Sequence, residues 1–145
     1  MNNPVETTFP PELRGLIRSV LALAADPVTQ ERLLGDGFIA DEMAVNFEFD
    51  YLRRRDQLIE EELLGAAQIR ALDALQAELD QRDLEEDEAF WIDRRQRHTR
   101  AGWRELRKLA QACLVTFDAR GLQLVVEQVF RTMNDDSIAC PRHHG

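Results

Sequence analysis

Apolar residues recur at three- and four-residue spacing along most of this chain, and that periodicity constrains the fold more than any other feature of the sequence. After the Pro10-Pro11 pair, one apolar stripe comprises Leu13, Leu16, Ile17, Val20, Leu21 and Ala24. The clearest stripe comprises Trp103, Leu106, Ala110, Cys113, Leu114 and Phe117. Because this spacing places each set on one side of an α-helix, the sequence predicts an all-α fold.

Capping and turn residues predict where further helices begin and end. Asp26 and Pro27 are typical of a helix start and Gly35 of a helix end, which predicts a short helix between them. After a break at Leu64-Gly65, another stripe comprises Ile69, Leu72, Leu75 and Leu79. Further helices are predicted over 66–81, about 85–96, 99–117 with Thr99 as N-cap, and from Asp118 to about 133.

The stretch DEMAVNFEFDYL, residues 41 to 52, fits two different structures. Its aromatic and aliphatic residues alternate with polar ones as in a β-strand, but no second alternating run is present to pair with it. Since an isolated strand leaves backbone groups unpaired, we favour a helix from about 41 to 64, with a short extended piece at 38–40 as an option. The main apolar face of that helix would comprise Val45, Phe49, Leu52, Ile59 and Leu63, flanked by Ala44, Phe47, Tyr51 and Leu58.

Two carboxylates of this predicted helix are expected to have basic partners. Asp50 stands four residues before Arg54, a spacing that favours an ion pair on a helix surface. Asp56 interrupts the main apolar face. Because buried carboxylates are normally paired, we favour a pair with one of residues 53–55 or with an arginine of another helix; the alternative is that Asp56 points at a boundary.

The chain length fits one domain. With 145 residues, 44% of them hydrophobic, the chain can bury a sizeable core without disulfides or metals. We predict a single-domain bundle of six to seven helices over 11–134, preceded by an N-terminal arm at 1–10 and followed by a tail at 135–145. No apolar run is long enough to cross a bilayer and the N-terminus does not resemble a signal peptide, so we expect a cytoplasmic protein with Cys113 and Cys140 as thiols.

Charge is segregated along the chain. Residues 36–93 hold 18 acidic and 5 basic residues, a net charge of −13, whereas residues 94–131 hold 9 basic and 3 acidic residues, a net charge of +6. With −9 overall, the chain is expected to repel nucleic acid and anionic membrane surfaces. We expect the basic segment 94–108 to meet the acidic segment 80–93, either within the fold or across a homodimer, and Trp103 to belong to the core.

Motifs for catalysis, cofactors and metals are missing from the sequence. No glycine-rich phosphate loop is present, and Ser19 lacks a GxSxG context, so its hydroxyl is expected to face water or the backbone. Cys113 lies on an apolar stripe and is predicted to be core. His98 lacks the Glu-x-x-His pattern of di-iron helices. The tail residues Cys140, His143 and His144 lack a second ligand pair. We therefore expect no catalytic, cofactor or metal site.

An acidic surface can simply keep a protein in solution. If this surface has a further role, we expect it to be a docking face for a basic protein rather than a site of catalysis. Such a surface steers a basic partner, and an aromatic anchor such as Tyr51 or Trp91 would add affinity. The predicted face comprises Glu42, Glu48, Asp50, Tyr51, Glu60, Glu61, Glu62, Asp83, Glu85, Glu86, Asp87 and Glu88.

In size, helix content, acidity and a tyrosine on an acidic helix (Glu48, Asp50, Tyr51), the chain resembles the small immunity proteins that bacteria keep against nuclease toxins. That resemblance implies a basic toxin domain as the partner. The chain differs from the colicin-type members in its length, its extra C-terminal helix and its basic segment. Two alternatives stay open: a self-associating helical scaffold, and a small hydrolytic or metal-dependent enzyme that uses carboxylates with His98.

Overall fold

The computed structural model describes residues 9–34 and 41–117, and every regular element in these ranges is an α-helix. In chain order the helices are α1 (Pro11–Ala24), α2 (Pro27–Leu34), α3 (Asp41–Asp50), α4 (Arg55–Glu60), α5 (Ala66–Glu85), α6 (Glu88–Ile92), α7 (Arg94–Thr99) and α8 (Ala101–Thr116). The all-α prediction is confirmed for these ranges. None of the described helices is both long and apolar enough to cross a bilayer. The predicted Gly35 helix end, the extended piece at 38–40, the helix from Asp118 and the C-terminal tail lie outside the described residues.

The core lies between α1, α3, α5 and α8. Helix α1 packs on α3 and on α8, and α8 packs on α5. The two stripes predicted for α1 and α8 are buried throughout, as are Leu72, Leu75 and Leu79 on α5. By contrast, α3 and α5 meet only sparsely. The fourth side of this arrangement is therefore the least closely packed.

Two predicted helices are each divided in two. The helix predicted over 41–64 is interrupted by a turn at residues 51–54 that separates α3 from α4. The helix predicted over about 85–96 becomes α6 and α7, because Asp87 and Asp93 each accept a hydrogen bond from a backbone N–H, of Phe90 and Arg95 respectively, and so begin separate helices. The residues before Asp87 instead prolong α5 to Glu85.

The side of α3 that faces the core is the one predicted to flank the main apolar face, and not the main face itself. Met43, Phe47 and Tyr51 are buried, whereas Val45 and Phe49 are 53% and 59% exposed. At about 100° per residue, the two sets lie on roughly opposite sides of the helix. Both sides are apolar, so the spacing alone could not decide which side faces the core.

Of the two helix caps predicted within the described residues, one is confirmed and one is wrong. Asp26 caps α2 as predicted, since its carboxylate accepts the Thr29 N–H at 2.8 Å. Thr99 does not cap α8: it is the last residue of α7, and its hydroxyl donates to the carbonyl of Arg95. Asp56 has an arginine beside it as expected, with Arg55 Nη1 3.9 Å from its carboxylate, but its side chain is fully exposed rather than buried.

Candidate functional site: an acidic cleft between α3 and α5

A cleft of about 130 Å³ lies where α3 and α5 meet only sparsely. Both helices line it with residues at the same i, i+3, i+4, i+7 spacing, and α6 adds a tryptophan. We call this site the acidic cleft, and its lining comprises Asp41, Ala44, Val45 and Glu48 from α3, Gln76, Leu79, Asp80 and Asp83 from α5, and Trp91 from α6. Its volume equals that of about four liquid waters. It is smaller than the pockets that typically hold drug-sized ligands, which start at about 300 Å³.

Four carboxylates surround the cleft, and all four are exposed. In the described parts of the chain, no arginine, lysine or histidine forms an ion pair with Asp41, Glu48, Asp80 or Asp83. Like charges gathered around a concave surface focus a negative potential there. The cleft is thus set up to attract a cation.

The buried part of the cleft contains a hydrogen-bond acceptor without a donor. Gln76 is only 7% exposed, and its Nε2 donates to Asp80 Oδ1 at 3.1 Å. Because an ionised carboxylate can only accept, this contact fixes the amide with its nitrogen toward Asp80. Gln76 Oε1 is then shielded from solvent and has no hydrogen-bond partner among the described residues. An unmet buried acceptor costs about 1–3 kcal/mol, so Gln76 is a weakly satisfied position beneath the cleft.

The tryptophan of the cleft is held by its neighbours. Trp91 meets Phe90 and Trp103 edge-on, with ring centroids 5.0 and 5.6 Å apart. Phe90 and Trp103 stack at 4.9 Å, and the Trp103 indole N–H donates to the carbonyl of Phe90. The aromatic cluster fixes the position of Trp91 without covering it completely, since this residue is part-exposed.

An exposed apolar ridge adjoins the cleft. Val45, Phe49 and Leu52 follow one side of α3 and the turn after it, and each is about half exposed. Val45 belongs to both the ridge and the cleft. The Arg53 guanidinium lies over the Phe49 ring at 5.7 Å from its centroid. Large apolar side chains exposed together are typical of interaction surfaces.

The structure separates the residues of the predicted docking face. Only Glu48 and Asp83 line the acidic cleft. Glu85 and Glu86 form ion pairs with Arg82, and Glu86 is also paired with Arg100. The remaining six acidic members are exposed and lie outside the cleft: Glu42 on α3, Glu60, Glu61 and Glu62 at the end of α4, and Asp87 and Glu88 at the start of α6.

Two members of that predicted face, Asp50 and Tyr51, make their side-chain contacts inside the fold. Tyr51 is buried, and its hydroxyl donates to Asp73 Oδ1 at 2.5 Å, so its ring is not a surface anchor. Asp50 is half-buried and accepts the hydroxyl of Ser19, which corrects the expectation that Ser19 faces water or the backbone. Burial raises the pKa of Asp50. The tyrosine that contributes to the immunity-protein resemblance therefore has an internal role here.

The basic segment 94–108 contacts two different parts of the chain, the acidic segment 80–93 and helix α2. Arg100 reaches the acidic segment 80–93 through Glu86, at 3.2 Å. Arg97 is buried and pairs instead with Glu31 on α2, and His98 Nε2 lies 2.8 Å from the same carboxylate. Among the described residues, no three His, Cys, Asp or Glu side chains are grouped as a metal ion would require. Trp103 and Cys113 are buried as predicted, and burial raises the pKa of Cys113 to about 12.

A second cavity, of about 240 Å³, lies between α1, the start of α2 and α8. Its polar lining is largely engaged: Asp26 is bonded to Thr29, and Gln111 donates to the carbonyl of Ala24. Burial lowers the pKa of Arg107, which also lines it. Because this cavity combines one cation with one carboxylate, it shows no net charge preference comparable to that of the acidic cleft.

Three polar members of the cleft were missed by the sequence analysis: Asp41, Gln76 and Asp80. A signal was present, because the sets Asp41-Ala44-Val45-Glu48 and Gln76-Leu79-Asp80-Asp83 share one helical spacing. To recognise this signal, one would have had to know that the Val45 side of α3 lies outside the core.

The comparisons with known proteins leave the cleft as the main guide to function. No family model matches the chain, and no match is found among curated proteins or solved structures.

Proposed function

We propose that this chain is a non-enzymatic binding protein whose acidic cleft and adjoining apolar ridge receive a basic protein partner. The observation that carries the proposal is the cleft itself, in which four exposed carboxylates have no cation among the described residues. A basic surface entering the cleft would gain Coulomb energy, and apolar side chains beside it would cover Val45, Phe49 and Leu52.

The partner class is defined by this chemistry. It has a positively charged surface with apolar residues alongside, so that both the cleft and the ridge are complemented. A nuclease-type toxin domain, which the immunity-protein resemblance implies, would meet that description because nucleases bind phosphates through basic residues. Inhibition of such a domain would follow if the same basic residues bound both the nucleic acid and the cleft.

The experiment compares two triple variants of equal charge change. In the cleft variant, Asp41→Asn, Glu48→Gln and Asp83→Asn are combined. In the control variant, three exposed acidic residues outside both the cleft and the predicted docking face are changed: Glu12→Gln, Asp56→Asn and Glu105→Gln. Each protein captures partners from the lysate of its source organism at low and high salt. A captured basic protein is then purified for affinity measurement.

A specific partner should be retained by the wild type and by the control variant. It should bind the cleft variant about tenfold or more weakly at low salt, and the difference should shrink as salt screens the charges. Equal losses in both variants would reduce the effect to net charge and contradict the proposal. Retention of the chain alone would instead favour the self-associating scaffold, which light scattering of the purified protein measures directly.

A further inference from the structure

The second cavity, between α1, the start of α2 and α8, combines an apolar wall with two opposite charges that do not pair with each other. Its volume of about 240 Å³ equals that of about eight liquid waters. Leu21, Ala24 and Ala25 form the wall, while Asp26 on α2 and Arg107 on α8 supply the charges. No ion pair joins these two side chains in the part of the chain that the structure describes, so both charges can interact with a ligand.

Arg107 is only partly satisfied by the fold. It is half-buried, and its Nη2 makes one long hydrogen bond, of 3.4 Å, to the carbonyl of Arg97. Its Nη1 makes no hydrogen bond among the described residues and, unlike the shielded Nε, is accessible to solvent. Because a guanidinium stays charged in proteins even where burial lowers its pKa, Nη1 and the second N–H of Nη2 can donate to an anion.

The opposite charge of the cavity lies beside a neutral acceptor. Asp26 accepts the N–H and the hydroxyl of Thr29, at 2.8 and 2.9 Å, which leaves a further acceptor position on each carboxylate oxygen. Burial opposes ionisation of Asp26, but these hydrogen bonds outweigh it and lower the pKa, so the carboxylate is charged at neutral pH. Gln111 donates its Nε2 to the carbonyl of Ala24 at 3.2 Å, so the Oε1 of this exposed side chain remains as a second acceptor.

We propose that this cavity binds a free α-amino acid with a small aliphatic side chain, as the zwitterion. The carboxylate of the ligand accepts from Arg107, its ammonium group donates to Asp26 and Gln111, and its side chain lies against the apolar wall. This inference goes beyond the proposed function, because the cavity and the acidic cleft are built from different helices.

Ligands with a single charge fit the cavity less well. A simple carboxylate is attracted by Arg107 but repelled by Asp26, and the reverse holds for an amine. An amine is disfavoured further, because Arg104 lies close enough to oppose the charge on Arg107. The volume also favours a small side chain over an aromatic one. A zwitterion satisfies both charges at once, with no net charge of its own.

The test uses the full-length chain labelled with ¹⁵N, titrated with L-alanine, L-valine and L-leucine. At least one of these should shift the Gln111 side-chain amide and the Thr29 backbone amide signals in a saturable way. The amino acid that binds most tightly is then compared with two analogues of nearly the same shape: its amide, which lacks the carboxylate, and its deaminated acid, which lacks the ammonium group. Each analogue should bind at least tenfold more weakly, because it loses one of the two charged contacts.

Variants locate the effect at the two charges. Asp26→Asn removes the negative charge but keeps a side chain that caps α2 about equally well, so the fold should be unchanged. It should weaken binding of the amino acid about tenfold and, because the repulsion is gone, reduce its advantage over the deaminated acid. Arg107→Met should weaken binding by a similar factor. Lys108→Met removes the neighbouring exposed cation outside the cavity, and this control should bind like the wild type.

Several results would overturn the amino-acid proposal. These are no saturable shift with any of the three amino acids, equal binding of either analogue, or unchanged affinity of Asp26→Asn. Thermal unfolding of each variant is recorded, and Asp26→Asn carries the test if Arg107→Met unfolds. The cleft triple variant should bind the amino acid like the wild type. A loss of binding in that variant would mean that the signals report net charge rather than this cavity, and would also contradict the proposal.

Discussion

The C-terminal half of helix α5 carries acidic residues on two of its sides, and among the described residues only one of those sides has a cation. On that side Arg82 contacts Glu78, Glu85 and Glu86 at 2.8–2.9 Å, and we call these four residues the Arg82 cluster. On the other side, Asp80 and Asp83 face the acidic cleft without an ion pair among the described residues. Negative charge on one side of the same helix therefore supports the fold, while on the other it is left for solvent or a partner.

Burial accounts for the difference between the two sides. The Arg82 side chain is 18% exposed and that of Glu86 is 15% exposed, so these charges are partly removed from water and need each other. Arg82 also runs close over Gly102 of α8, where a Cβ atom would come within 2.8 Å of its Cδ. The exposed carboxylates of the cleft are still hydrated, so the fold can tolerate them without a partner.

The largest expected effect comes from breaking the Arg82 cluster. Arg82→Met should lower the free energy of unfolding by about 2–3 kcal/mol, because it leaves partly buried carboxylates without their cation. Arg82→Lys should lie between the variant and the wild type, since an ammonium lacks the planar fork. Urea unfolding at pH 7 measures all three proteins.

The matched control for this prediction is Arg70→Met, which removes an exposed arginine from the same helix. It should change the free energy of unfolding by no more than about 0.5 kcal/mol. Equal effects of the Arg70 and Arg82 changes would mean that the cluster contributes nothing to the stability of the fold, and the contrast between the two sides of α5 would disappear.

A second pair of carboxylates should respond to pH in opposite directions. Asp73 accepts two hydrogen bonds from Arg55, at 2.9 and 3.0 Å, and this contact lowers the pKa of Asp73. Asp50 has the Ser19 hydroxyl as its hydrogen-bond partner, and burial raises the pKa of Asp50. A lowered pKa stabilises the fold above the unfolded value near 3.9, whereas a raised pKa makes the charged form a cost at neutral pH.

The corresponding variants are Asp73→Asn and Asp50→Asn. At pH 7 the first should destabilise the fold by about 1 kcal/mol, a value reduced for the exposure of the Asp73 pair, and the second should stabilise it by a few tenths of a kcal/mol. As the pH falls toward 4, the Asp50→Asn gain should vanish first, because wild-type Asp50 takes up its proton at the higher pH. Effects of the same sign for both variants would contradict these pKa assignments.

Much of the fold could be predicted because α1, α5 and α8 have one apolar side each. The stripe from Trp103 to Phe117 lies on one side of α8 only, and this side is buried as predicted. Helix α3 has apolar residues on both sides, so spacing could not tell the Phe47 side from the Phe49 side. The outcome depends on contacts with α1, and these join residues far apart in the sequence.

The candidate site was harder to predict than the fold, for a related reason. Glu86 and Asp83 are three residues apart and chemically alike, yet one is paired with Arg82 and Arg100 and the other lies in the cleft. Arg100 is 14 residues further along the chain than Glu86. Counts of charge give the total in each segment, but which carboxylates are compensated depends on which helices become neighbours.

The smallest expected effect concerns the cleft carboxylates themselves. Glu48 and Asp83 each lie in the last turn of their helix, where negative charge opposes the helix dipole, and each has other carboxylates nearby. The double variant Glu48→Gln with Asp83→Asn should therefore raise the free energy of unfolding by about 0.5 kcal/mol at low salt. The gain should fall as salt is added, because these charges are exposed and easily screened.

The comparison variant for this last effect is Glu85→Gln, which also removes a negative charge from the last turn of α5. Glu85 is paired with Arg82, and its side chain is 51% exposed, so the change should lower the free energy of unfolding by about 0.5 kcal/mol. If charge removal raises the free energy of unfolding on the cleft side of α5 and lowers it on the Arg82 side, the cleft keeps its charges at a cost to stability. A loss of stability in the cleft variant would mean instead that its carboxylates are compensated within the fold, and a binding role would lose its physical basis.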